Sequence, residues 1–177
     1  MDERIEEELT IVAERTARKR GPVFDQRTLE QPITRLEPRA PLFVEQHATL
    51  ADAVAVMREH RVGCVLVVDE NGYLVGIFTE RDLLLRLEDA DLSRAIRPYV
   101  TPEPETLSPD DPIAFALNLM SVGGFRHVPL VDDEGRPVGV VSVKDVVNFL
   151  AEVFSQDVLT IPPNPGQAGK WHSRDGA

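Results

Sequence analysis

Between residues 42 and 156 the apolar positions follow a helical period, then runs with strand character, then a helical period again, and this succession occurs twice. In the first pass Leu42-Phe43-Val44 predicts a short extended lead-in. Leu50, Ala53, Val54 and Met57 then share the buried face of a helix opened by the capping box Thr49-Leu50-Ala51-Asp52, and Gly63 is expected to end it. Val62 to Val68 predicts an apolar strand, Asp69-Glu70-Asn71-Gly72 a turn, and Tyr73 to Phe78 the second strand of a hairpin. In the second pass Asp111 is read as a cap followed by Pro112 at the first helical position, with Ile113, Ala116, Leu117 and Met120 inward and Gly123-Gly124 at the end. Val128 to Val131 and Val138 to Val141 are its strands, joined by Asp132-Asp133-Glu134-Gly135. A helix from Thr79 closes the first pass and one from Ser142 the second.

The recurrence extends to residue identity. Gly76-Ile77-Phe78-Thr79-Glu80-Arg81-Asp82 returns as Gly139-Val140-Val141-Ser142-Val143-Lys144-Asp145, 63 residues on (139 − 76). Val68-Asp69 answers Val131-Asp132, Gly72 answers Gly135, Met57 answers Met120, and Leu87 answers Leu150 in the same register. A half of about sixty residues buries too little apolar surface to stand comfortably alone, so the two halves are expected to form one cooperative unit. Thr79 and Ser142, each followed three residues later by Asp, have the form of capping boxes. The same geometry serves chemistry. Amide N–H groups and the positive end of a helix dipole favour a phosphate, and an ionised Asp with open lone pairs accepts hydrogen bonds from a ribose diol.

The repeated pattern hydrophobic-Gly-hydrophobic-x-Thr/Ser-x-x-Asp resembles the CBS domain pair, or Bateman module, over about residues 32–156. The resemblance implies an α/β (α+β) fold of two β-α-β-β-α repeats packed about a pseudo-twofold axis, with two clefts for adenosine-containing ligands. On this reading 1–31 form an N-terminal helix and connector, 32–88 the first repeat, 89–156 a linker and the second repeat, and 157–177 a flexible tail. Asp82 and Asp145 would hold ribose hydroxyls, and Thr79 and Ser142 would lie near phosphate. Phe125-Arg126-His127-Val128-Pro129 resembles the family strand whose basic pair faces phosphate, so Arg126 and His127 are expected to work with Asp82. The first repeat has Gly63 and Cys64 at those positions, so the Asp145 cleft is expected to use Arg58, Arg61 or Lys144 or to leave phosphate in water, and the two sites to be unequal. The implied ligand is AMP, ADP or ATP ahead of S-adenosylmethionine or NAD.

Composition narrows the remaining choices. The 177 residues carry 30 acids against 19 Lys and Arg, a net charge of −11, which makes nucleic acid a poor partner. No apolar run approaches the roughly 20 residues of a membrane span, and the acidic start is unlike a signal peptide, so no membrane partner and a cytoplasmic location are expected. Residues 2–20 predict a helix with a narrow apolar stripe at Ile5, Leu9 and Val12, acids early and bases late, stopped by Gly21-Pro22. Residues 22–48 read as a proline-punctuated connector. In the linker 89–104, Ser93 is read as the cap of a short helix, and Pro98, Pro102 and Pro104 as keeping the chain beyond it extended. Beyond Gln156 no period survives, and Trp171 is the one aromatic there.

No catalytic residue and no metal site is predicted. His47, His60, His127 and His172 are scattered, and Cys64, the single cysteine, sits in an apolar run as a small hydrophobe. The helices closing the two repeats carry more apolar residues than one face needs: Leu83, Leu84, Leu85 and Leu87 in the first, Val146, Val147, Phe149, Leu150, Val153 and Phe154 in the second. That surplus predicts a homodimer, as such helices form in the resembling family. The functional expectation is a regulatory, non-enzymatic sensor that couples adenosine-ligand occupancy to a protein partner or to its own dimer. The competing expectation is a ligand-free scaffold whose motif residues only cap helices.

Overall fold

The computed structural model describes residues 26–86 and 91–154, and nearly all of them belong to one compact unit, Thr28–Val146. The expected helix over 2–20, residue Leu87, and the tail with Trp171 lie outside the described residues. A second unit draws on both ends of the chain; its described parts are Gln26 and Arg27 and residues 147–154.

Within the main unit, strand β1 (Phe43–Glu45) leads to helix α1 (Leu50–His60), then strands β2 (Cys64–Val68) and β3 (Leu74–Thr79), helix α2 (Glu80–Leu85) and the two-residue strand β4 (Thr101–Pro102). The second repeat has helix α3 (Ile113–Ser121), strands β5 (His127–Val131) and β6 (Pro137–Ser142), and helix α4 (Val143–Val153), whose first turn belongs to this unit. The sheet order is β1-β2-β3-β4, with β1 parallel to β2 and the other pairs antiparallel; β5 and β6 form a hairpin. The two hairpin turns are built alike. Asp69 Oδ1 accepts from the N–H groups of Asn71 and Tyr73, and Asp132 Oδ1 from those of Glu134 and Arg136, with Gly72 and Gly135 in the left-handed region.

β2 is buried along its whole length because both of its faces are covered. Val65 and Val67 pack with Leu50, Ala53, Met57 and Phe78 under α1; Cys64 and Leu66 pack with Ile77 on the opposite face, where Val140 of the second repeat joins them. This accounts for an uninterrupted apolar run where a sheet with one wet face would alternate.

Each repeat completes its sheet with chain from outside itself. Thr101 of the linker pairs with Ile77, and Arg39 of the connector pairs with Val140, the residue equivalent to Ile77 63 positions on (140 − 77). Within each repeat the lead-in segment pairs with the first strand of the hairpin, Val44 of β1 with Val67 of β2 and Leu107 with Leu130 of β5. The motif glycines make room for these closing segments. A Cβ on Gly76 would fall 2.2 Å from Val100 Cγ1 and 3.0 Å from the Thr101 carbonyl oxygen, and one on Gly139 3.2 Å from Leu130 Cδ1 and 3.5 Å from the Arg39 carbonyl oxygen.

Several local expectations are corrected. The connector is structural: Ile33 and Leu36, in a 3-10 turn, are buried, and Ile33 donates to the Asp111 carbonyl while Ile113 donates to that of Gln31. The linker likewise delivers Ile96 and Tyr99 into the core, and Asp91, not Ser93, organises its turn, its Oδ1 accepting from both the N–H and the hydroxyl of Ser93. Pro98 lies in a 3-10 turn, so the linker is extended only beyond it. Helix α1 ends at His60 with Arg61 in the left-handed region, so Gly63 is not its stop. Asp111 does not cap α3; Pro112 holds the cap position, and Asp111 Oδ2 instead accepts from the Ser108 N–H at 2.7 Å.

Candidate ligand-binding site

The two motif acids occupy equivalent places at the start of α2 and α4. Thr79 ends β3 and caps α2: its N–H and hydroxyl both donate to Asp82 Oδ2, at 2.9 and 2.6 Å, and the Asp82 N–H returns to Thr79 Oγ1 at 3.3 Å. At the second site the two bonds to the carboxylate recur, the Ser142 N–H and hydroxyl both donating to Asp145 Oδ2 at 2.7 Å. In each case one carboxylate oxygen takes both donors, and among the described residues no protein donor engages the other. Asp82 is half-buried and Asp145 is buried.

Each acid borders a cavity completed by the other repeat. The Asp82 cavity, about 310 Å³, is lined by Ile77, Thr79, Arg81 and Asp82 of the first repeat, by Thr101, and by Gly123 to His127 of the second. The Asp145 cavity, about 250 Å³, is lined by Val140, Ser142 and Asp145 of the second repeat, by Arg39, Ala40 and Leu42, and by Val62, Gly63 and Cys64 of the first. Wall by wall the two correspond, with Phe125 matching Val62, Arg126 matching Gly63 and His127 matching Cys64.

The structure therefore gathers Thr79, Asp82, Arg126 and His127 around one cavity and Ser142 and Asp145 around the other. His127 is not confined to the first; its imidazole also lines the Asp145 cavity, beside Gly63. Burial and then the neighbouring Arg126 charge hold its pKa below the ordinary 6.5, against the raising effect of Glu80 and Asp145. Arg58, Arg61 and Lys144 do not line the Asp145 cavity. The guanidinium in its lining is that of Arg39, beside the imidazoles of His60 and His127; local sequence signals left Arg39 inside a connector. Phe125 and Arg81 were also missed as cavity residues, although both adjoin residues that were singled out. Phe125 is seated against Gly123, where a Cβ would fall 2.5 Å from the ring.

Cys64 is a free, buried thiol at the edge of the Asp145 cavity. Burial, and secondarily the Glu80 carboxylate, push its pKa up to about 12, which removes thiolate nucleophilicity at neutral pH. Among the described residues no group of three or more His, Cys, Asp or Glu side chains could hold a metal ion, and no helix is long and apolar enough to cross a membrane.

A pair of α/β repeats, each closed by a segment from beyond its own hairpin and each contributing half of two equivalent cavities, defines a tandem-repeat module with paired clefts. The chain belongs to the CBS domain family, whose model matches residues 35–89 and 94–152. It is 33% identical over 112 residues to an uncharacterized 17.7 kDa protein of Acidianus ambivalens, covering 63% of this chain and 68% of that one. It is 36% identical over 117 residues to a mitochondrial CBS domain-containing protein of Arabidopsis thaliana, covering 62% and 56%. An uncharacterized 33.4 kDa relative from Thermofilum pendens, 31% identical, matches over 81% of this chain and only 46% of its own length. Among solved structures, a CBS domain protein of Pyrobaculum aerophilum complexed with AMP superposes with a TM-score of 0.63 at 26% identity, covering 70% of this chain and 98% of that one. The CBS domain pair of protein MJ0100, in complex with 5-methylthioadenosine and S-adenosyl-L-methionine, gives 0.62 at 26% identity, covering 67% and 98%.

Proposed function

We propose that this chain is an adenosine-nucleotide-binding regulatory module that couples ligand occupancy to a protein partner or to its own dimer. The observation that carries the reading is the paired construction of the cavities: a hydroxyl and a carboxylate at a helix start from one repeat face a strand from the other. A ligand there touches both repeats, and so can favour one arrangement of them over another in proportion to its difference in affinity. The adenosine ligands of the Pyrobaculum aerophilum and MJ0100 structures support the ligand class.

In the Asp82 cavity, Asp82 accepts from the ribose hydroxyls, Arg126 and His127 face phosphate, and the Phe125 ring offers a flat apolar surface to the base. In the Asp145 cavity, Ser142 and Asp145 take the same parts. AMP, with about 23 heavy atoms at about −0.3 kcal/mol each, would bind near −7 kcal/mol, or about ten micromolar. ADP, ATP, S-adenosylmethionine and NAD are the other adenosine ligands to compare. The role is non-catalytic, since the one thiol is held protonated and the motif hydroxyls are engaged in capping. The apolar surface of α2, where Leu84 and Leu85 are 70% and 73% exposed, and Val147 of α4 at 55%, supports a homodimer.

A second reading has its own observation: both acids already cap their helices, which is all a ligand-free scaffold requires. Asp82→Asn separates the two. It keeps an oxygen for the Thr79 donors but replaces the other with an NH₂ group that cannot accept from ribose. Calorimetric titration of the wild type and of Asp82→Asn and Asp145→Asn with the five ligands is expected to lose affinity about 10- to 100-fold at the altered site, with unliganded stability changed by less than about 1 kcal/mol. No heat and no thermal shift in the wild type at millimolar ligand, where saturation at 100 times the dissociation constant stabilises by about 2.7 kcal/mol, would leave only the scaffold.

A further inference from the structure

Among the differences between the two cavities, one is reciprocal. On the strand wall the Asp82 cavity has Arg126 where the Asp145 cavity has Gly63; on the closing wall the Asp82 cavity has Thr101 where the Asp145 cavity has Arg39. Each cavity thus has an arginine in its lining at one of these two positions, on opposite walls, and the Asp82 cavity has Arg81 as well. We propose that Arg39 is the anion-binding residue of the Asp145 cavity, taking the phosphate of an adenosine nucleotide from the closing segment as Arg126 does from the strand in the Asp82 cavity. This rests on the nucleotide reading above.

Four observations carry it. The Arg39 backbone is held in place by two hydrogen bonds exchanged with Val140, N–H to carbonyl in each direction at 3.2 and 3.0 Å, so the side chain starts from a fixed point on the wall. Its positive charge acts on both Cys64 and His127, which line the same cavity, so the guanidinium is close to the space a ligand would fill. Position 63 carries no side chain to supply the cation, and the space beside it is already taken up by His127: a Cβ on Gly63 would sit 3.2 Å from His127 Cε1 and 3.5 Å from Glu80 Cδ. Among the described residues no carboxylate pairs with Arg39, and the residue is exposed, which leaves its donors free for a bidentate contact with phosphate.

One consequence separates Arg39 from a general surface charge. It should distinguish a phosphorylated from an unphosphorylated nucleoside at one site only, because phosphate is the only group it touches. The test is titration of the full chain with AMP and with adenosine, for the wild type, Arg39→Gln, Arg39→Lys, Arg126→Gln and the Arg39→Gln/Arg126→Gln double variant, with thermal melting of each unliganded protein as the check on folding. Expected are two AMP sites in the wild type, one weakened about 10- to 100-fold by Arg39→Gln and the other by Arg126→Gln, with adenosine affinity unchanged in both and partial recovery in Arg39→Lys. Arg39→Gln that leaves both AMP affinities unchanged, or weakens adenosine as much as AMP, overturns the assignment while the nucleotide reading stands. A wild type that binds neither AMP nor adenosine removes the reading and the assignment together.

Discussion

Replacing Gly76 and Gly139 by alanine tests why the repeated motif contains glycine. Neither residue is in the left-handed region, so the reason is space and not backbone freedom. An alanine Cβ at 76 would meet Val100 Cγ1 at 2.2 Å, against an ordinary carbon–carbon contact of about 3.5–4.0 Å, and the Thr101 carbonyl oxygen at 3.0 Å. Relief would take a shift of about 1.5 Å in a β-branched side chain of the segment that closes the sheet. Overpacking of this kind costs about 1–3 kcal/mol. The same substitution at 139 meets Leu130 Cδ1 at 3.2 Å and the Arg39 carbonyl oxygen at 3.5 Å, a contact that the end of a leucine can relieve. There the steric cost should be largely offset by the roughly 0.4–1 kcal/mol that alanine contributes through the unfolded chain. Urea denaturation should therefore find Gly76→Ala less stable than Gly139→Ala by about 1–2 kcal/mol, with similar m-values. Adding Val100→Ala to Gly76→Ala should recover part of the loss, giving a coupling of at least about 0.5 kcal/mol. Equal losses at the two sites, or the larger loss at Gly139, would refute the claim that close approach of β4 is what requires glycine at 76.

Three further outcomes are expected from the same geometry. With a pKa near 12, Cys64 should react with a thiol reagent at pH 8 about a thousandfold more slowly than a free cysteine, and a single thiol should become titratable in denaturant; fast reaction of the folded chain would contradict its burial. His127 is held below its ordinary 6.5, so the unfolded chain takes up the proton first; the stability that the neutral ring contributes is complete above 6.5 and is lost as pH falls through the lower folded value. The wild type should then lose more stability than His127→Gln between pH 7.5 and 5.5 in urea titrations, and parallel curves would exclude this residue as the cause. Leu84→Glu and Leu85→Glu place charge on the exposed face of α2; sedimentation should find a wild-type dimer shifted toward monomer with the fold retained, whereas unchanged mass would remove α2 from any interface.

The sequence by itself determined the repeat, its 63-residue register, the family, the caps at Thr49, Thr79 and Ser142, both hairpin turns and the positions of the four long strands. These are written in spacings of a few residues, where hydrogen-bonding side chains and apolar period act locally. Where two local signals competed, the sequence was a poorer guide: Arg61, not Gly63, took the left-handed residue after α1, because the Arg61 N–H could return to the α1 carbonyls of Met57 and Arg58 there. Asp111 was drawn to the Ser108 N–H and left the α3 cap to proline.

Only the tertiary structure decided what lay between the repeats. The connector and the linker look alike in sequence, proline-rich and aperiodic, yet each supplies buried side chains and the closing strand of a sheet: Thr101 beside Ile77, Arg39 beside Val140. An edge strand of one or two residues has no period to detect, and its partner is far away in sequence. Arg39 entered the Asp145 cavity for the same reason, since what places its charge there is a pair of backbone hydrogen bonds to a residue about a hundred positions on (140 − 39), and backbone groups are the same at every position.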